Sequence, residues 1–154
     1  MATKQEDTQT PIEVNTEAKA PEQEKPKSKY SQEELLTIFD DIIFQGTYTE
    51  EVIVNKRLKV EYRIRSAKET GEISKAIESK NFQWVINVEQ ERAFLNLVYS
   101  LTKYATHDLA GRTLEDRIKF VGGLPTVVVS ALSDKLVEFD QKTDEACRVG
   151  EANF

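Results

Sequence analysis

The sequence predicts an α+β fold, mostly helical, with a small β-hairpin packed on a bundle of about five helices. Three observations predict it. Apolar residues recur at three- and four-residue spacing through most of the chain after Tyr30. The segment Leu58–Ile64 instead alternates with period two. Turn and capping residues fall between these pieces, at Ser31, Gly46, Asn55-Lys56, Ser66, Thr113 and Gly122-Gly123.

The periodic part starts at Tyr30. Residues 1–29 hold three of the four prolines and no aromatic, and after Met1 their only large aliphatic residues are Ile12 and Val14. Such a segment buries too little apolar area to offset its ordering entropy, so a disordered tail is expected there. Residues 30–154 are expected to form a single helical domain with the hairpin near 51–65.

Within that domain, Ser31 with Glu34 three positions on is a capping-box signature. Leu35, Leu36, Phe39, Ile42 and Ile43 then share one helical face, and the helix is expected to end near Gln45-Gly46. In the hairpin, Leu58, Val60, Tyr62 and Ile64 alternate with Lys59, Glu61, Arg63 and Arg65, and Glu51–Val54 reads as the first arm. A lone hairpin is marginal in water, so it must pack on helices or pair with another strand. Ser66 and Glu69 form a second capping box ahead of Ile73, Ala76 and Ile77. The densest apolar content follows. Phe94, Leu97, Val98, Leu101, Tyr104 and Ala105 fill one arc, which predicts a central helix over Val88–Ala105. His107–Gly111 reads as a loop, and Thr113 with Asp116 opens a short helix broken at Gly122-Gly123.

Phe120–Leu132, "FVGGLPTVVVSAL", is uncharged in a chain where 31% of residues are charged. Pro125 is suited to a first helical turn. Val128, Val129, Leu132, Leu136 and Phe139 then recur with the helical period, predicting a helix over roughly Pro125–Thr143. Val127 and Val137 fall off that stripe. They are candidate protein-contact residues on a second face, and Val52 and Val54 on the hairpin edge are the other candidates.

The composition weighs against several chemistries. The net charge of −6 is opposite to that of a general nucleic-acid binder. The best basic patch, Asn55–Arg65, is interrupted by Glu61. One cysteine, Cys147, permits no intrachain disulfide, and with the lone His107 it is too few ligands for a thiolate zinc centre. His107 reads as a loop histidine, Cys147 as an incidental small residue, and Asp40-Asp41 as a solvated face. No phosphate loop or dinucleotide fingerprint is present. No apolar run approaches the ~20 residues that span a bilayer, and the N-terminus lacks a secretion-signal pattern. The expectation is a soluble, non-enzymatic protein without catalytic residues, metal or cofactor, and without membrane or nucleic-acid partners.

One longer stretch, "RTLEDRIKFVGGLPTVVVSALSDKLVEFDQKTDEA" (Arg112–Ala146), resembles the C-terminal half of tail assembly chaperones of long-tailed bacteriophages and of the related baseplate hub assembly proteins. The residues that carry the resemblance are Phe120, Leu124-Pro125, Val128 and Leu132, continuing through Leu136 and Phe139, and the similarity extends over roughly Val52–Ala146. The resemblance implies a non-enzymatic assembly factor in the host cytoplasm. Its partners would be the tape-measure protein and tail-tube subunits, with a homo-oligomer as a further possibility. The alternatives are a structural subunit of the tail or baseplate, and a small regulatory or nucleic-acid-binding protein.

Overall fold

The structure is a computed structural model that describes residues 28–79 and 87–153. The expected tail, up to residue 27, lies outside the described residues, as does most of the stretch leading into the central helix. The described elements run α1 (Gln32–Gln45), β1 (Thr49–Val54), β2 (Leu58–Arg63), α2 (Ala67–Ser79), α3 (Val88–Ser100), β3 (Leu101–Tyr104), β4 (His107–Asp108), α4 (Leu114–Gly122) and α5 (Thr126–Ala152). The fold is α+β and mostly helical, as the periodicities predict. Its sheet has four antiparallel strands in the order β1-β2-β3-β4 rather than two.

Local chemistry sets most element starts. The Ser31 hydroxyl accepts from the Glu34 N–H at 3.1 Å, and Gly46 closes α1 at φ 74°, a conformation that favours glycine. Ser66 and Glu69 make the complete reciprocal box, the Glu69 N–H donating to the Ser66 hydroxyl and the Ser66 N–H to the Glu69 carboxylate. Thr113 caps α4 through the Asp116 N–H. Asn55 and Lys56 both take positive φ, as a tight hairpin turn needs, and the Arg57 N–H donates to the Val54 carbonyl across it.

The inner sheet face packs on α3, α4 and α5. Val54, Val60, Tyr62, Leu97, Val98, Leu101, Leu109, Val121, Leu132, Leu136 and Phe139 make one continuous core. Tyr62 is fully buried, and its hydroxyl donates to the Leu132 carbonyl at 2.7 Å, which satisfies the phenol and ties β2 to α5. A smaller cluster joins α2 to α3 through Ile73, Ile77, Leu95 and Tyr99. Another joins α1 to α5 through Leu35, Ile38 and Ala146.

Four expectations are corrected. The central helix does not reach Ala105. It ends at Ser100, and Leu101–Tyr104 pairs with β2 as a strand. That third strand is what stabilises the hairpin, with Thr102 as the bulged residue opposite Glu61 and Tyr62. His107 and Asp108 belong to a short fourth strand rather than a loop. α5 runs on to Ala152 because its last turns are covered by α1, with Ala146 and Gly150 buried. In α1 the buried stripe is Leu35, Ile38 and Phe39, while Ile43 is exposed.

Gly71 lies inside α2 with open space around the position of an added Cβ. Gly71→Ala is therefore expected to raise stability by up to about 1 kcal/mol, read from the midpoint of urea unfolding.

Candidate interaction surfaces

Three arginines converge on the C-terminus of α3, where helix carbonyls lack intrahelical donors. Arg63 donates to the Tyr99 carbonyl at 3.3 Å, and Arg117 donates to the same oxygen at 3.0 Å and to the Leu101 carbonyl at 3.2 Å. Arg65 donates to the Ser100 hydroxyl. Cations are favoured at this end of a helix, and here they come from β2, the segment after it, and α4. Arg63 is also held in a two-pronged pair with Glu69 at 2.9 and 2.7 Å, and Arg65 pairs with Asp140 at 2.8 Å. Arg117 is nine-tenths buried, and its pKa is lowered by burial first and by neighbouring Arg63 next. Of the basic residues in Asn55–Arg65, Arg63 and Arg65 are thus occupied internally, while Lys56, Arg57 and Lys59 are exposed, Lys59 at 3.7 Å from Glu51.

Burial alone would raise the Glu69 pKa, but the Arg63 fork and the Ser66 hydrogen bonds outweigh it and hold this carboxyl below its ordinary value. A carboxyl depressed in the folded state contributes stability above its unfolded pKa. That contribution is lost as pH falls through the folded value. Acid unfolding followed by circular dichroism is expected to start below the ordinary carboxylate pKa of 4.5, and Glu69→Gln to flatten that part of the stability profile. An unchanged profile would mean that the pair does not form in solution.

The contact candidates separate into two kinds. Val54 is 2% exposed and belongs to the core, so its side chain offers no surface, and Val52 is half-buried against the same core. Val127 and Val137 point outward from α5 at 73% and 53% exposed. They share that face with the exposed Ser130, Asp134, Glu138 and Gln141. The sequence reading missed Phe44, 83% exposed at the end of α1, and Ile53, 49% exposed on β1. The signal for Phe44 was its position one residue past the apolar stripe.

The other singled-out residues have ordinary surroundings. The His107 ring lies 5.2 Å from Phe120 and 6.4 Å from Tyr104, and the Arg112 guanidinium sits 5.3 Å over Phe120. Cys147 lines a polar cleft with Arg65 and Asp140. Burial first, then Asp144 and Glu151, push its thiol pKa up, away from the nucleophilic thiolate. Asp41 accepts from the Gln45 amide at 3.2 Å, and Asp40 is exposed. No single helix among the described residues is long and apolar enough to cross a membrane. No family model, curated protein or solved structure matches this chain.

Proposed function

We propose that this chain is a non-enzymatic assembly factor of a long-tailed bacteriophage, a tail assembly chaperone that binds the tape-measure protein, tail-tube subunits or both in the host cytoplasm. The observation that carries this reading is the division of labour along the segment of resemblance. Leu132, Leu136 and Phe139 are buried and hold the fold together, while Val127 and Val137 on the same helix are left to solvent. Exposed apolar side chains on an acidic helix suit a module that covers apolar client surface until assembly and then releases it.

Val127→Asp and Val137→Asp are expected to leave stability within about 0.5 kcal/mol, as surface substitutions do. The same changes are expected to reduce the yield of soluble tape-measure protein on co-expression, because a client contact would then bury an unpaired charge. Chemical denaturation and client solubility are read together. If Val127→Asp unfolds the chain, this face is internal; if neither quantity moves, it is not the client site. Purified virions are expected to lack the protein, and its presence there in fixed proportion would make it a structural subunit instead.

A further inference from the structure

We propose that the free edge of β1 takes a fifth strand, an extended segment of another protein that alternates basic with small apolar side chains. β1 ends the strand order, so one of its long sides has no partner among the described residues. The register says which groups face that side. The Ile64 N–H donates to the Tyr48 carbonyl at 3.0 Å, just beyond the Thr49–Arg63 pair. Antiparallel pairing alternates, so Glu50, Val52 and Val54 turn their main-chain groups toward β2. Thr49, Glu51 and Ile53 therefore turn their N–H and C=O groups outward. Their side chains are exposed too, so neither backbone nor side chain is covered.

Edges of this kind are normally blunted by proline, a bulge or charged side chains, and of these β1 has only the charge of Glu50 and Glu51. β1 pairs with β2 through six consecutive residues without a register shift, and it contains no proline. What it carries is negative charge. Glu51 stands on the outer face, opposite Glu61 and 3.7 Å from the exposed Lys59. On the inner side, a cleft of about 190 Å³ beside Val52 is lined by Glu50 and Glu138 with Lys135 and Lys142. A second cleft of about 410 Å³, against Tyr48, is lined by Glu33, Glu34 and Asp41. Lys142 is already neutralised by Glu50 at 2.8 Å and Glu34 at 3.3 Å. An added strand would place alternate side chains over these clefts; the first is balanced in charge, and carboxylates are the only charged groups lining the second.

That charge selects the occupant. A second copy in the symmetric register would set Glu51 against Glu51, and like charges directly opposed are destabilising. The chain's own residues 1–27 carry six acidic side chains against four lysines and are also a poor match. An extended basic segment gains both the unused main-chain hydrogen bonds and the charge complement. This inference holds whether or not the partner is a tail protein.

The test uses the full chain and the synthetic peptide Lys-Val-Lys-Thr-Lys-Val-Lys with blocked ends, with the same peptide carrying Glu for every Lys as control. The basic peptide is expected to bind at least ~10-fold more tightly than the control, and to weaken as salt is raised. Residue-resolved hydrogen exchange is expected to show new protection at the Thr49, Glu51 and Ile53 amides and none at Glu50 or Val52. Glu51→Pro removes an outward N–H without touching the β1–β2 ladder, a placement that edge strands tolerate, and should abolish binding. Glu51→Lys keeps the edge and should weaken the basic peptide; it decides the matter if Glu51→Pro fails to fold. The proposal is overturned by absent binding, by equal binding of both peptides, or by protection at other amides. It is also overturned by a dimer in sedimentation that Glu51→Pro abolishes, since the occupant would then be a second copy. A basic-peptide affinity that appears only after deletion of residues 1–27 would likewise make the chain's own terminus the occupant.

Discussion

Leu97→Ala is expected to cost about 2–5 kcal/mol of stability, the range for large-to-small changes in a packed interior. Leu97 is 0% exposed on α3, within the cluster that joins the inner sheet face to α4 and α5. Its neighbours there include Val98 and Leu101, also at 0% exposed, and they are held by the sheet on one side and by α5 on the other. A cavity at this place cannot close by a local shift of one element, which puts the cost toward the upper part of the range. Leu101→Ala is expected to be comparable, although Leu101 sits on β3, because its side chain enters the same cluster. The measurement is urea unfolding, with the midpoint falling and the slope unchanged. A loss below about 1 kcal/mol would place α3 at the periphery and contradict the arrangement described above.

The elements legible in the sequence are those whose ends are set by nearby residues. Ser31, Asn55-Lys56, Ser66 and Thr113 act within three or four positions of themselves, and each appears in the structure doing so. The end of α3 was not legible because nothing local terminates it. Its last carbonyls are taken by Arg63 and Arg117, each at least sixteen positions away in sequence, and a helical wheel carries Leu101 and Tyr104 straight on. The end of α5 was hidden for a different reason. Its buried face there is Thr143, Ala146 and Gly150, small residues that mark close approach of α1 rather than the absence of a core face. Among the surface candidates, the exposure of Val127 and Val137 followed from helical period alone. The open main chain of β1 did not, since it depends on β3 pairing with the far side of β2.

Gly150→Ala is expected to destabilise by about 1–3 kcal/mol, the cost of overpacking a filled site. In a helix interior the usual expectation is the opposite, a gain of about 1 kcal/mol from the better helix former. Sterics reverse the sign here. A Cβ at Gly150 would fall within the Phe39 ring of α1, and that ring is itself 8% exposed with little room to withdraw. A larger residue such as Leu at the same position would have to push α1 off α5, undoing the cluster of Leu35, Ile38 and Ala146. The last turn of α5 has one escape, because unwinding from Gly150 to Ala152 relieves the contact at the cost of a few helical hydrogen bonds, which bounds the loss. A double-mutant cycle separates these outcomes. In a Phe39→Ala background, Gly150→Ala is expected to become neutral or stabilising, giving a coupling energy of about 1 kcal/mol or more between residues far apart in sequence. Gly71→Ala supplies the reference, since it is the same substitution in a helix with open space around it. If Gly150→Ala raises the unfolding midpoint as Gly71→Ala does, α1 does not pack on the end of α5, and the acidic cleft between Tyr48 and α1 loses one wall.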